Sequence, residues 1–240
     1  MIDLSREGDV FVLTMNAGEN RWNTNFVRAF DEKLDEVSAS SGAAALLTTS
    51  SSGKFFSNGL DLDWANAPDD HPEGGDVKVF GAEFMQLMAR IITLPIPTVA
   101  AIGGHGFGAG FMLALSHDLR LMRGDRGYLC ANEMQIGISI PKPELALFRH
   151  KLPAHVFYET VQLARRWTGE AALAAGIVHE TADLGELMQR AKERAGELAP
   201  LGANRKAFGR QKETLFGQDA PTQLDHGAAH LLRNSGDYDH

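Results

Sequence analysis

The chain has 240 residues, of which 44% are hydrophobic and 22% charged, the composition of a folded globular protein and not of a disordered or fibrous one. Lys and Arg number 23 against 31 Asp and Glu, and the formal net charge of −8 argues against a broad nucleic-acid-binding face. The single cysteine, Cys130, excludes a disulfide framework within the chain and a multi-cysteine zinc site.

No apolar run approaches the ~20 residues of a membrane-spanning helix. The first seven residues have the pattern of neither a signal peptide nor a transit peptide, and the last three are not the peroxisomal Ser-Lys-Leu signal. An unpaired cysteine fits a reducing compartment. We therefore expect a cytoplasmic protein with no nucleic-acid partner and no membrane partner.

The hydrophobic pattern predicts alternating strands and helices. In chain order, we predict strands at 9–15, 43–49, 98–102 and 118–122, and helices at 26–37, 80–92 and 111–116. This alternation is typical of a parallel α/β core. Residues 66–76, rich in Pro, Asp and Gly, predict a mobile surface loop that shapes the binding pocket. Beyond Leu198 only helical patterns follow, so we expect a core over 1–197 and a helical region over 198–240.

A glycine-rich segment, 103–110, follows the third predicted strand and opens a helix. The first N–H groups of a helix have no partner within it and lie at the positive end of its dipole, so they stabilise an anion or a developing oxyanion. Close strand–helix packing explains the glycines equally well. Gly104, Gly106 and Ala109 also match the loose dinucleotide-binding pattern. The acidic residue expected about 20 positions later is missing there, since Asp125 lies in a predicted turn.

Two more segments carry candidate chemistry. Residues 56–62 form a small-residue loop after a buried strand, which can supply another backbone N–H to a shared pocket. In 132–141, Glu133 stands among apolar residues, and burial of that kind raises the pKa of a carboxylate toward the range useful for proton transfer. For this segment alone, a glutamate that faces water is the commoner outcome.

Other catalytic patterns fail. Ser116, His117 and Asp118 are adjacent in the chain and cannot form a relay, and no set of His, Asp and Glu has metal-ligand spacing. We interpret His105 and His117 as structural histidines. Glu144 suits the first turn of a helix, where a carboxylate interacts with the dipole, and we interpret it as a helix cap.

Taken in this order, the three segments resemble the crotonase (enoyl-CoA hydratase/isomerase) superfamily over about residues 1–183, including 16–21 and 168–178. Residues 55–65 and 115–118 are most similar to Δ3,Δ2-enoyl-CoA isomerases, especially the peroxisomal plant type. The resemblance implies an α/β fold, a crotonase/ClpP-like spiral of ββα units with a C-terminal helical region. It also implies a homotrimer or hexamer and a place in fatty-acid β-oxidation.

The resemblance implies a site as well. Leu60 and Ala109 would supply two backbone N–H groups to an oxyanion hole, and Glu133 would be the catalytic carboxylate. Hydratases of the family carry a second glutamate where this chain has Met112, and a single carboxylate suits a proton shuttle between two carbons. The substrate would be an acyl-CoA thioester, with no metal and no separate cofactor. The implied substrate-binding residues are Ser57, Asn58, Gly59, Leu62, Gly108 and Met112.

Coenzyme A brings phosphates to an acidic protein, so a local basic cluster is expected near the pocket. The candidates for phosphate contact are Arg21, Lys54, Arg205, Lys206, Arg210 and Lys212. Three alternatives stay open: another crotonase reaction such as hydration or thioester hydrolysis, a non-catalytic acyl-CoA-binding protein, and a nucleotide-dependent dehydrogenase.

Overall fold

The computed structural model describes residues 1–67, 73–217 and 227–237, and strands in these ranges form two sheets. The larger sheet has the order β1 (Ile2–Glu7), β2 (Val10–Met15), β3 (Ala45–Ser50), β5 (Thr98–Ile102), β7 (Leu119–Arg123), β9 (Glu180–Ala182). The smaller sheet has the order β4 (Phe55–Ser57), β6 (His105–Phe107), β8 (Leu129–Cys130). Every neighbouring pair is parallel except β1 and β2.

Helices cover the sheets and build the end of the chain. They are α1 (Thr24–Ser38), α2 (Leu62–Ala65), α3 (Val77–Ile92), α4 (Ala109–Ser116), α5 (Lys142–Lys151), α6 (Ala154–Val161), α7 (Gly169–Ala174), α8 (Leu184–Leu198), α9 (Arg205–Phe216) and α10 (Ala228–Arg233). Short 3₁₀ turns lie at Glu133–Ile136, Ala199–Ala203 and Ser235–Asp237. No helix in the described ranges is long and apolar enough to cross a membrane.

The chain repeatedly visits the two sheets in pairs of strands. β3, β5 and β7 lie in the larger sheet, and each is followed by a strand of the smaller one, β4, β6 or β8, before the next helix begins. Because the smaller sheet is parallel, the C-terminal ends of its strands meet at one edge. Leu60, Ala109 and Glu133 each follow one of these three strands. The topology thus gathers residues more than 70 positions apart at a single edge.

The central strands of the larger sheet, β2, β3, β5 and β7, are buried on both faces, which explains their long apolar runs. In β2, Phe11, Leu13 and Met15 pack into a large core with α1, α3 and α4. Their neighbours Val10 and Val12 point to the other face, where α8 covers the sheet. The alternation follows from the two-residue period of a strand.

The predicted strands and helices are confirmed, with bounds that differ by at most a few residues. Five strands were not predicted from the hydrophobic pattern: β1, β4, β6, β8 and β9. β1 has a polar residue at most of its positions, and it pairs with β2 through a turn at Gly8, whose φ is +60°. β6 lies inside the glycine-rich segment, where a strand signal is weak because glycine disfavours strands.

Beyond Leu198 the described residues are helical, as predicted. α10 packs against α3 and α5, and its Ala229 and Leu232 belong to the large core. His226, the first residue of one predicted helical segment, lies outside the described residues, as do 68–72 of the predicted 66–76 loop. The division at residue 198 stays a prediction.

Candidate active site

A cavity of about 150 Å³ lies at the edge where the three strands of the smaller sheet end. Among the described residues, its wall consists of Asn58, Gly59, Leu60, Leu62, Phe80, Phe84, Gly108, Ala109, Met112, Asn132, Glu133, Ile136, Ile138, Ser139, Pro141 and Glu144. All three predicted catalytic residues, Leu60, Ala109 and Glu133, are in this wall. So are five of the six predicted substrate-binding residues, every one except Ser57.

The backbone around Leu60 is fixed by a bridge to Trp22. The Trp22 N–H donates to Gly59 O at 2.8 Å, and the Asp61 N–H donates to Trp22 O at 2.9 Å. In a parallel bridge the intervening residue directs its own N–H to the opposite side, and the Leu60 N–H has no acceptor among the described residues. Leu60 therefore presents a free, rigidly held donor at the cavity.

The second donor opens α4. Ala109 is its first residue, so its N–H has no partner within the helix, and no other described residue accepts it. Gly108, at φ +48°, turns the chain into the helix, and its N–H donates to Cys130 O at 2.9 Å. A Cβ built on Gly59 would lie 3.7 Å from Ala109 N, so the two donors lie on touching loops.

These loops touch because glycine leaves room for them. A Cβ on Gly110 would lie 2.5 Å from Ser57 O, and a Cβ on Gly59 would lie 2.8 Å from Phe107 O. Both distances are below any real contact, so larger residues would force the loops apart. The two explanations of the glycine-rich segment, packing and anion binding, are therefore compatible. β6 interrupts that segment, so it does not form the strand–turn–helix of a dinucleotide site.

Ser57 lies beneath the cavity wall instead of in it. Its buried hydroxyl donates to Asn20 O at 2.7 Å and accepts the Gly59 N–H at 3.2 Å. Asn20, at φ +50°, in turn donates to Phe56 O at 3.0 Å. The structure thus gives Ser57 and Asn20 a supporting position under the Leu60 loop. Asn20 lies in segment 16–21 of the family resemblance, but no role was predicted for it.

Glu133 begins the 3₁₀ turn after β8, and its carboxylate faces Gly108. Its Oε1 would lie 3.0 Å from a Cβ on Gly108, and its buried Oε2 has no hydrogen-bond partner among the described residues. Burial raises the pKa of Glu133 above its usual value. The commoner outcome, a glutamate that faces bulk water, is therefore wrong: Glu133 is a half-buried carboxylate with an unpaired Oε2, and it lies against Gly108, the residue before the Ala109 donor.

The interpretation of Glu144 as a helix cap is corrected by the structure. Glu144 does lie in the first turn of α5, but its carboxyl makes no capping bond there and lies in the cavity wall. Burial, with a smaller contribution from the charge of Glu133, raises the pKa of Glu144 to about 8. The cavity thus holds two carboxyl groups, and burial favours the neutral form of each.

The rest of the wall is mainly apolar. Phe80 and Phe84 from α3 stack with ring centroids 5.6 Å apart, and Trp64 packs against the edge of Phe80. Ile136 and Ile138 are exposed on the opposite loop. Sequence reasoning missed the two phenylalanines, whose helical spacing indicated only a core face. The described part of the 66–76 loop does not line the cavity.

The predicted basic cluster is dispersed. Lys212 is buried, pairs with Asp118 at 2.8 Å and donates to Ile96 O, so it is unavailable to a phosphate. Arg21 pairs with Glu19 and Asp63, each at 2.7 Å. No Lys or Arg belongs to the described wall of the cavity. Phosphate contact by Lys54, Arg205, Lys206 or Arg210 stays a prediction.

His117 is structural, as predicted. It is fully buried, and its ring nitrogens contact Leu113 O and Thr48 Oγ1, each at 2.8 Å. His105 stacks on Phe107 and Tyr128, outside the cavity wall. Burial raises the pKa of the Cys130 thiol to about 11, which makes it a poor nucleophile. The described residues contain no group of three His, Cys, Asp or Glu side chains able to hold a metal ion.

Comparison with known proteins gives this geometry its context. A family model described as enoyl-CoA hydratase/isomerase matches residues 5–225. Peroxisomal enoyl-CoA delta isomerase 2 of Arabidopsis thaliana is 36% identical over 201 residues, 82% of this chain and 84% of that protein. Enoyl-CoA delta isomerase 3 of the same plant is 33% identical over 220 residues, 90% of this chain and 92% of that protein.

Comparison with solved structures finds enzymes of the same kind. The solved structure of an enoyl-CoA isomerase from Mycobacterium tuberculosis superposes with a TM-score of 0.81 at 24% identity, covering 98% of this chain and 96% of the other. The two sheets and their paired strands are therefore the crotonase fold. The predicted spiral of ββα units is confirmed, and the dehydrogenase alternative is wrong. The chain belongs to the enoyl-CoA hydratase/isomerase, or crotonase, family and is an enzyme of that family.

Proposed function

We propose that this enzyme moves the double bond of an enoyl-CoA from C3 to C2, with Glu133 as the group that carries the proton. One observation supports this above the others: of the two carboxyl groups in the cavity wall, Glu133 lies against the turn that presents the Ala109 donor, and the α4 position that carries a second glutamate in hydratases holds Met112. The names of the Arabidopsis relatives point to the same reaction.

In the proposed mechanism the thioester oxygen accepts hydrogen bonds from the Leu60 and Ala109 N–H groups. Glu133 removes a proton from C2, the C2–H electron pair delocalises into the thioester and the C3–C4 double bond, and a dienolate forms. The two donors stabilise the charge that develops on its oxygen. Glu133 then returns the proton to C4, the double bond forms between C2 and C3, and the carboxylate is regenerated.

The environment of Glu133 suits both halves of this cycle. A base must be ionised before the reaction and an acid immediately after it, and proton transfer is most efficient when the pKa of the group is near the working pH. Burial moves the pKa of Glu133 upward, in that direction. Oε2, which has no hydrogen-bond partner among the described residues, is the oxygen available to take the proton and return it.

Hydration of a 2-enoyl-CoA is the second candidate, and Glu144 is the observation in its favour. Addition of water needs one group to activate water and another to protonate C2, and this cavity offers two carboxyl groups. We place it second because Glu144 comes from α5 and not from the α4 position that hydratases use.

The test follows absorbance in the conjugated-thioester band after 3-hexenoyl-CoA is added to wild type, Glu133→Gln and Glu186→Gln. Glu186 is an exposed glutamate in the first turn of α8, and its variant is the matched control. We expect a rise with wild type and the control but not with Glu133→Gln. A rise with all three would remove Glu133 from the mechanism. No rise with wild type, together with loss of the band from crotonyl-CoA, would favour hydration.

We also propose a cytoplasmic homotrimer or hexamer with a role in fatty-acid β-oxidation, which needs no cofactor beyond the coenzyme A of its substrate. Sedimentation measures the mass of the assembly, and a monomer at micromolar concentration would contradict the oligomer.

A further inference from the structure

Glu144 is the second carboxyl group of the described cavity wall, and the proposed shuttle does not use it. A carboxylate in the first turn of a helix usually interacts with the free N–H groups there. The Glu144 carboxyl does not bind these N–H groups, and it has no hydrogen bond or ion pair with any described residue.

The packing of α5 holds Glu144 in this position. Phe148 lies one turn later on the same face of α5, and its ring packs edge-on against Phe111 of α4 with centroids 5.5 Å apart. Phe111 is adjacent to Met112, which is in the cavity wall. The face of α5 that includes Glu144 therefore packs against α4, and this packing places the carboxyl in the cavity wall.

The surroundings of Glu144 are otherwise suited to a hydrocarbon chain. Phe84, Met112, Ile136 and Ile138 line the same cavity. An unsubstituted alkyl chain bound there would displace water from the carboxyl without forming a hydrogen bond to it, which is unfavourable for a buried polar group. An oxygen substituent on the chain would pair with it.

We propose that Glu144 is a specificity-determining residue that recognises a hydroxyl or oxo group on the acyl chain of the substrate. This inference rests on the proposed function, because it assumes that an acyl chain occupies the cavity. A protonated carboxyl offers one O–H donor and a carbonyl acceptor, so it matches a hydroxyl, which both donates and accepts, and an oxo group, which accepts. Sites built to bond a substrate oxygen discriminate strongly against the analogue that lacks it.

The test measures binding and not turnover, so that its result is independent of the isomerase activity. Titration calorimetry compares hexanoyl-CoA, 5-hydroxyhexanoyl-CoA and 6-hydroxyhexanoyl-CoA, which are saturated and cannot isomerise. The proteins are wild type, Glu144→Leu, Glu144→Gln and the control Glu186→Leu, a first-turn glutamate of α8 that faces solvent.

We expect wild type and Glu186→Leu to bind at least one hydroxylated ligand about tenfold tighter than hexanoyl-CoA, the scale of one buried hydrogen bond. Glu144→Leu should bind hexanoyl-CoA more tightly and lose the preference, whereas Glu144→Gln, which keeps a donor and an acceptor, should retain most of it. Thermal melting checks that each variant is folded.

Two results would overturn the inference: wild type without a preference for either hydroxylated ligand, or Glu144→Leu weakening all three ligands equally. A third would reassign the residue. If Glu144→Leu kept the preference but abolished hydration of crotonyl-CoA, then Glu144 would handle water and not the acyl chain. Failure of the proposed function alone would appear differently, as normal binding of all three ligands with no isomerisation of 3-hexenoyl-CoA.

Discussion

The cavity has two walls of different construction. The donor wall, Gly59, Leu60, Gly108 and Ala109, consists of backbone on two loops that touch because no Cβ separates them. The carboxylate wall, residues 132–144, consists of side chains on a 3₁₀ turn, a loop and the first turn of α5. Gly137, in the left-handed region, ends that turn with nothing packed against it.

In the donor wall the backbone segments that present the N–H donors also hold the loops together, whereas in the carboxylate wall the reactive groups are side chains that the packing does not need. The donor wall is part of the ladder between β4, β6 and the Trp22 bridge, so a change there alters packing and donors at once. The carboxylate wall contributes groups whose removal leaves the backbone in place. Chemistry and specificity can therefore change in the carboxylate wall while the oxyanion site is preserved.

The largest effect is expected from Glu133→Gln, which tests whether the carboxylate wall changes chemistry alone. We expect kcat for isomerisation to fall about 10²–10⁴-fold, the contribution of a positioned acid–base group. The melting temperature should be unchanged or slightly higher, because Oε2 has no partner to lose. Steady-state kinetics and thermal melting on the same preparation measure both. A large loss of stability would mean that the carboxylate wall is also structural.

Gly59→Ala should disturb both the packing of the donor wall and the position of its N–H donors. Its φ of +83° disfavours alanine, and the new Cβ would press on Phe107 O at 2.8 Å. We expect kcat to fall about 10²–10³-fold, as for loss of one oxyanion donor, together with a lower free energy of unfolding.

The matched control is Gly196→Ala on α8, where a Cβ meets nothing within 4 Å and the backbone is helical. It should leave kcat unchanged and stabilise the protein by about 0.5–1 kcal/mol. Urea unfolding and steady-state kinetics compare the two variants. If Gly59→Ala retained full activity, the donor wall would be far less tightly coupled than its geometry indicates.

The pH dependence of kcat/KM should report both carboxyl groups. Activity requires ionised Glu133, so kcat/KM should rise with pH through the pKa of Glu133, which burial places above its ordinary value. Above about pH 8, Glu144 ionises and adds a second negative charge beside the developing dienolate, so kcat/KM should fall. In Glu144→Gln the alkaline fall should disappear and the acidic limb should stay. An unchanged alkaline limb in that variant would exclude Glu144 as its cause.

The smallest effect is expected from Asp61→Ala. The Asp61 carboxylate accepts the Trp64 N–H at 3.4 Å and lies 3.7 Å from Arg21, a weak cap and a weak, exposed ion pair. We expect the free energy of unfolding to fall by less than about 1 kcal/mol. kcat should stay near wild type, because the Trp22 bridge and not this side chain holds the Leu60 N–H. Asp76→Ala, at the start of α3, is the matched control.

Much of the fold could be predicted from sequence because local signals decide it. Strands buried on both faces require apolar runs, as in β2, β3 and β5, and α1 carries an apolar stripe and an asparagine cap whose side chain accepts the Phe26 N–H. β1 was missed because most of its residues are polar, although it pairs with β2 next to it in the chain. β4, β6 and β8 were missed because they are short and pair with strands distant in the chain.

Leu60, Ala109 and Glu133 were predicted as a set because three motifs occurred in a family order, not because any motif indicated its own surroundings. Only the parallel smaller sheet decides that their strands end at one edge. Sequence also placed Glu144 in the first turn of a helix and Lys212 on a helix, both correctly. Which way each faces depends on packing between helices: α5 against α4 presses Glu144 into the cavity, and α9 places Lys212 on Asp118. The sequence by itself therefore determined which elements form, through short-range preference and burial. The tertiary structure alone decided which charged groups lost their water, because desolvation depends on neighbours that the local pattern does not contain.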